Sequence, residues 1–288
     1  MSLTSPVEVR RLLHGLSIRP SKALGQNFLV DENILRIFLD AAEIAPDDEV
    51  LEIGPGLGVL TERLVSLARH VIAVEKDRRL FDFLVSRMGS CGNLTLVHGD
   101  VLDLDADALL GAAPATRVVT GNLPYRVGTR ILVDMVHAPA PPARITVTVQ
   151  QEVAERLAAL PGSGSHGLLS VWVQLTHRVR IVKTVAKGCF WPRPEVASAI
   201  VSLSGLDAVE LDGEDRAFFY ALTKLGFAHR RKQLATVLKS APGFDARALA
   251  RVPEALESTG LDARSRPEDL PVSAWCALVR HARGRRRE

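Results

Sequence analysis

Cysteine is scarce in this chain. The three present, Cys91, Cys189 and Cys276, are scattered over 288 residues and form no metal-like pair. A disulfide framework and a structural zinc site are therefore not expected, and a reducing, cytoplasmic compartment is. The eight histidines include no H-x-x-x-H pair and no cluster with cysteine, so no bound metal is expected. No apolar run approaches the ~18 residues that a membrane helix needs, and no membrane partner is expected. Met1 to Arg11 lacks the basic-then-apolar order of a secretory signal. G-x-x-x-x-G-K-[ST] and G-x-S-x-G are both absent, which removes P-loop nucleotide hydrolases and the nucleophile-elbow hydrolases. What remains is 47% hydrophobic and 24% charged, the composition of a globular chain long enough for one large domain and a small one.

A large charge imbalance is also missing: the net is +3. Its distribution is uneven. Residues 1–205 hold 21 basic and 21 acidic residues, whereas 206–288 hold 15 and 12. Lys224, Arg230, Arg231, Lys232 and Lys239 share a window without acid, and Arg280, Arg283, Arg285, Arg286 and Arg287 crowd the C-terminus. Clustered cations on one element can form a phosphate footprint, although a terminal run alone is usually just solvated.

Ser5-Pro6-Val7-Glu8 has capping-box form with proline at the first helical position, so a short helix over about Pro6–Gly15 is expected. Ser17 to Phe28 reads as a loop. Asp31 can cap a second helix with Ile34, Leu35, Phe38 and Leu39 on its apolar face. Short apolar strands then alternate with helices. The strands are Glu49–Ile53, His70–Val74, Leu94–Val97, Val118–Thr120 and Ile145–Val149. This alternation implies a parallel sheet covered on both faces, with ligands beyond the carboxyl ends of the strands. Leu168–Val185 and Ala197–Ser204 read as two long strands, an antiparallel pair closing the sheet. From about Leu206 the pattern is helical, near Glu214–Leu225, Arg231–Lys239, Arg247–Val252 and Val272–Arg283, and the domain boundary falls near Leu206–Gly213.

The chemistry-bearing residues sit at the strand ends. Glu52-Ile-Gly-Pro-Gly-Leu-Gly58 is a strand-to-helix glycine turn, but Val59 stands where the dinucleotide fingerprint wants glycine, which argues against a nicotinamide oxidoreductase. Glu75, ending the next strand, can accept hydrogen bonds from both ribose hydroxyls; Asp100, after the third, can accept from an adenine amino group. Together they favour an adenosine-bearing cofactor. Asn122-Leu123-Pro124-Tyr125 is sharper. The Asn122 amide oxygen and the Leu123 carbonyl, fixed by Pro124, can both accept from one exocyclic amine, and Tyr125 can stack on the base that carries it. Two acceptors out of the ring plane favour a pyramidal nitrogen whose lone pair faces an electrophilic methyl.

The combination resembles the ribosomal RNA adenine dimethylases, and within them the bacterial small-subunit branch. The matching segments are Lys22–Leu29 (KALGQNFL), Glu52–Gly58, Gly121–Tyr125 (GNLPY), Val149–Leu157 (VQQEVAERL), Gly167–Val171 (GLLSV), Phe190–Pro194 (FWPRP) with Ser198-Ala199, and Phe227–Lys232 (FAHRRK), over roughly residues 6–280. The resemblance implies a Rossmann-like α/β fold: a seven-strand methyltransferase sheet over residues 1–207 and a small all-helical, RNA-binding C-terminal domain over 208–288. It implies S-adenosylmethionine as cofactor. Gln26, Asn27 and Leu29 would line its methionine end, Glu52 would lie near its amino group, and Gly54 and Gly56 would approach it with backbone. Glu75 would hold the ribose, and Asp100 with the Val101 amide the adenine. Asn122 and Leu123 would bind the target N6, Tyr125 would stack on the target base, and Phe190 would cover its other face. Arg230, Arg231 and Lys232 would hold RNA phosphates. The implied substrate is a pair of adjacent adenosines in the 3′-terminal hairpin loop of small-subunit ribosomal RNA, within a pre-30S particle, with the enzyme a monomer. The family pattern departs here at Gln151, often lysine, at His166, often tyrosine, and at Ala197, often aspartate. Two alternatives share the motifs: the large-subunit adenine methylase of macrolide resistance, and a non-catalytic assembly or transcription factor.

Overall fold

The computed structural model describes residues 3–21, 24–105, 109–110, 116–206, 211, 213–257, 260–262 and 264–283. Lys22 of the first motif, most of the expected domain boundary and the arginines at 285–287 lie outside these. The chain forms two compact units, Met1–Ala154 with Arg178–Gly205, and Glu155–His177 with Leu206–Glu288.

The first unit is built on a seven-stranded sheet. Its strands are β2 (Glu49–Ile53), β3 (His70–Glu75), β4 (Leu94–His98), β5 (Arg117–Asn122), β6 (Arg144–Gln150), β7 (His177–Val185) and β9 (Ser198–Gly205), in the order β4-β3-β2-β5-β6-β9-β7. The first five in that order are parallel, and β9 runs antiparallel to β6. Every residue of β2 is buried, as a strand covered on both faces requires. Helices follow the strands as expected: α1 (Pro6–Gly15), α2 (Glu32–Ala42), α3 (Thr61–Leu67), α4 (Arg78–Met88) and α5 (Gly128–His137). Asp31 caps α2 by accepting from the Ile34 N–H at 3.0 Å, so the helix starts where its sequence signal lies.

Two features position the site. A Cβ at Gly121 would lie 2.5 Å from the Ile53 carbonyl oxygen, so only glycine lets the end of β5 come this close to the end of β2. That close approach brings Asn122 beside the glycine turn. A second, two-stranded sheet pairs β1 (Phe28–Leu29) with β8 (Phe190–Trp191), Phe28 opposite Trp191 and Leu29 opposite Phe190. It fixes Phe28, the last residue of the loop read in the sequence.

The expected long strand over Leu168–Val185 is corrected. Residues Leu168–Gln174 are helix α7, after α6 (Gln151–Leu157), and only His177–Val185 is strand. Leu169, Ser170, Val171 and Val173 are all buried, so the stretch shows no helical stripe, and a short apolar run of that kind does not distinguish helix from strand. The consequence reaches the domain boundary. Residues Glu155–His177 group with the C-terminal helices, although His177 also opens β7, because Val171 and Leu175 join the core of the second unit. That core centres on Phe219, Trp275, Leu238, Leu256 and Val279, carried by α8 (Gly213–Ala228), α9 (Leu234–Leu238), α10 (Ala246–Ala250), α11 (Val252–Glu257) and α12 (Val272–Ala282).

Candidate active site

The cleft lies in the first unit, beyond the carboxyl ends of β2, β3, β4 and β5. Gln26, Asn27, Leu29, Glu52, Gly54, Gly56, Glu75, Asp100, Val101 and Asn122 all line it, so every residue expected around the cofactor meets in one cavity. Gly54 and Gly56 have φ of +67° and +61°, left-handed backbone that favours glycine. A Cβ at Gly54 would meet nothing within 4 Å, so the turn leaves open space on the cleft side.

Carboxylates tie the strand ends together. Glu75 accepts from the Gly56 N–H at 3.0 Å and from the Asp77 N–H at 2.7 Å, which locks the turn after β2 to the turn after β3. Burial pushes its carboxyl up even so, because the two N–H donors only partly replace the lost water. Asp100 accepts from Lys76 Nζ at 2.5 Å and from the Leu102 N–H at 3.1 Å, and the lysine holds its carboxyl below the ordinary value. Gln26 is pinned at both ends of its amide: Oε1 accepts from the Ser21 N–H at 2.7 Å, and Nε2 donates to Asp77 Oδ2 at 2.9 Å. Burial alone would raise Asp77, but hydrogen bonds from Arg79 and Gln26 hold it low. Asp77 and Lys76 were not singled out in the sequence. The aspartate shows there only as a helix cap, and its tie to Gln26 spans 51 residues.

Glu52 stands apart. It is 1% exposed and faces the cleft, and neither carboxyl oxygen has a hydrogen-bond partner. Burial drives its pKa to about 8; Thr61 lies close enough to ease this without satisfying the oxygens, and the nearby Glu75 charge raises it further. An acceptor of this kind, buried and unanswered, suits a cationic or donor-rich group in the cavity.

The bend after β5 has its own geometry. Asn122 Nδ2 donates to the Asn27 carbonyl oxygen at 2.6 Å. A carbonyl only accepts, so the amide's NH₂ must face it, and Oδ1 is left as the acceptor. The Leu123 N–H donates to the Thr148 carbonyl at 3.1 Å, and the Pro124 carbonyl accepts from Gly128 at 2.8 Å at the start of α5. Leu123, Pro124 and Tyr125 line a second, smaller cavity with Val149, Gln150 and Val153, and the Tyr125 hydroxyl is held by Ser198 Oγ at 2.5 Å. Pro124 belongs to both cavities, so the bend is their shared wall.

Phe190 is 3% exposed, packs with Leu29, Phe38 and Val185, and lines neither cavity. Its pairing opposite Leu29 puts it in the core. In the second unit, Arg230, Arg231 and Lys232 are exposed on the turn between α8 and α9, so Arg231 and Lys232 are not on the helix read from the sequence over Arg231–Lys239. Arg230 is already engaged by Glu268, Nη2 to Oε2 at 2.8 Å.

The profile of the family described as ribosomal RNA adenine dimethylase matches residues 18–281. The chain belongs to the ribosomal RNA adenine dimethylase family. Among its relatives in that family is the ribosomal RNA small subunit methyltransferase A of Moorella thermoacetica, 38% identical over 97% of this chain and 98% of its own length. The same-named protein of Pediococcus pentosaceus is 37% identical over 96% and 95%. Of solved structures, the 23S rRNA methyltransferase ErmE is 27% identical with TM-score 0.69, covering 89% of this chain and all of its own. A dimethyladenosine transferase from Plasmodium falciparum, 24% identical with TM-score 0.72 over 86% and 94%, shares the fold. The fold is thus the Rossmann-like methyltransferase α/β architecture, and the dimethylase family makes this chain an adenine-modifying enzyme of ribosomal RNA.

Proposed function

We propose that this chain uses S-adenosylmethionine to dimethylate N6 of two adjacent adenosines in the 3′-terminal hairpin loop of small-subunit ribosomal RNA. The observation that carries the reading is the Asn122 amide, locked by the Asn27 carbonyl so that Oδ1 is the acceptor, on a bend that walls both the large cleft and a smaller cavity.

The residues of the cleft fit the cofactor. The unanswered Glu52 oxygens suit its ammonium, the open space at Gly54 admits its backbone-close part, and Glu75 and Asp100 suit its ribose and adenine. Gln26, Asn27 and Leu29 line the same cavity, Asn27 against Asn122, with Val101 beside Asp100. When bound, the cofactor supplies an electrophilic methyl on a sulfonium. The chain's part is positioning and electrostatics. Asn122 Oδ1 and the Leu123 carbonyl accept from the target amine and draw its lone pair out of conjugation with the ring. Pro124 fixes their spacing, and Tyr125, anchored through Ser198, offers an aromatic face to an extruded base. An unpaired loop base is cheaper to extrude than a paired one, by a few kcal/mol. The space beside the bend must also admit a monomethylated amine, since each nitrogen takes two methyls.

Arg231 and Lys232, with Arg230 once Glu268 releases it, hold RNA phosphate. Among the described residues no helix is long and apolar enough to cross a membrane. The reading carries with it a cytoplasmic monomer acting on a pre-30S particle. The test is to incubate the protein with labelled cofactor and under-methylated small and large subunits, then map the label. Dimethyladenosine at adjacent 3′-terminal positions of the small-subunit RNA supports the reading. Label only on large-subunit RNA would move the activity to that substrate, and no label on either would remove the enzyme.

A further inference from the structure

The first unit looks electrically neutral, but its two chain segments are not. Residues 1–154 hold 15 basic and 19 acidic residues; residues 178–205 hold five basic and one acidic. The surplus is concentrated on β7, the edge strand of the sheet. Arg178, Arg180 and Lys183 are exposed on it, with Ile181 between them 38% exposed. Among the described residues no carboxylate pairs with Arg178, Arg180 or Lys183, although arginines of this unit's acidic segment are paired, as in Arg63–Glu32, Arg69–Glu49 and Arg144–Asp48. None of the three lines the cofactor cleft or the smaller cavity.

We infer that the β7 edge is a second phosphate-binding surface, on the catalytic unit itself, that takes the backbone of the ribosomal RNA substrate. The inference rests on the function proposed above for the nature of the partner. Arg178 and Arg180 are two residues apart, so they project from the same side of the strand about 6.6 Å apart along it, a spacing on the scale of neighbouring phosphates of one strand. The free backbone groups of an edge strand add donors beside them. Cations on an edge strand also have a plain structural use: they stop edge-to-edge aggregation. Charge of either sign can serve that use, although lysine is favoured for it. That use does not account for all three charged residues of β7 being cations beside an acidic segment. An RNA partner does, because it is attracted to the basic edge and repelled elsewhere, which orients the unit as it arrives.

The test uses two variants of the full chain, Arg178→Gln/Arg180→Gln/Lys183→Gln and Arg178→Glu/Arg180→Glu/Lys183→Glu. Affinity for under-methylated small subunits is measured between about 50 and 200 mM salt, and cofactor affinity is measured alongside to report an intact cleft. The neutral variant should flatten the slope of log K against log salt by about 2 to 3, at roughly 0.7–0.9 for each phosphate no longer neutralised, and the reversed variant should bind more weakly still. A reversed variant with wild-type RNA affinity and slope overturns the proposal, and a neutral variant that aggregates while the reversed one binds normally assigns the cations to edge protection. Methyl transfer by the unaltered protein is followed in the same samples. Its absence sinks the proposed function, whereas transfer with an unchanged slope sinks only the role of this edge.

Discussion

Replacing Glu52 with glutamine should stabilise the empty protein at neutral pH and weaken its grip on the cofactor. The native carboxyl has a pKa of about 8 against an ordinary 4.5, because burial and the nearby Glu75 charge outweigh the easing by Thr61. The folded protein therefore keeps the proton over a window in which the unfolded chain gives it up. Stability tied to this group is full below about pH 4.5 and is lost as pH climbs toward 8. A tenfold change in proton affinity between the folded and unfolded chain is worth about 1.36 kcal/mol, so the loss between about pH 5 and about pH 7.5 is on the order of 3 kcal/mol. Glutamine keeps the shape and does not titrate, so groups other than the coupled Glu75 cancel in the difference between the two proteins. Urea unfolding of both proteins at several pH values reads it. The Glu52→Gln protein should gain on wild type steadily as pH rises, while its cofactor dissociation constant increases, a trade of function for stability. A difference in stability that stays flat from about pH 5 to about pH 7.5 would show that Glu52 titrates normally, and the assignment of a strained, cation-seeking carboxyl would fall.

Other consequences are equally direct. Gly54→Val puts a branched side chain into open cleft space at φ +67°, so cofactor binding by calorimetry should weaken by about tenfold or more, with loss of roughly 1 kcal/mol from the backbone. A Cβ at Gly226 would lie 2.5 Å from Trp275 Cη2 in the core of the helical unit, so Gly226→Ala should destabilise that unit by about 1–3 kcal/mol in a thermal or urea melt. Neutralising Arg231 and Lys232 together should flatten the salt dependence of RNA binding by about 1.5 to 2, whereas Arg230→Ala should do less, because Glu268 already holds that guanidinium.

Much of the cleft was legible because parallel strands buried on both faces leave short apolar runs that end in glycine or a polar residue. Glu49–Ile53 closing on Gly54, and His70–Val74 closing on Glu75, carry that signature, and the glycine turn, Glu75, Asp100 and Asn122 fall where such endings meet, whereas Gln26, Asn27, Leu29, Glu52 and Val101 were indicated only by the family resemblance. What escaped depends on long-range packing. Leu168–Gln174 has no polar stripe because Ser170 is buried with its apolar neighbours, its hydroxyl donating to the Arg156 carbonyl. A helix with no exposed face then looks like a strand. The two residues of β1 and the two of β8 are too short to show any period, yet their pairing puts Phe190 in the core and Asn27 against Asn122. The unanswered state of Glu52 was likewise invisible: the sequence shows a carboxylate before a glycine turn, and only the fold shows that nothing donates to it.

The most direct measurement is single-turnover methyl transfer by Asn122→Ala on under-methylated small subunits, with RNA affinity measured on the same protein. Removing the acceptor should slow transfer by about 10²–10³-fold, the usual loss when one preorganised group at the reacting centre is deleted, while RNA affinity stays within about twofold. Transfer at the wild-type rate would contradict a reaction centred on this bend.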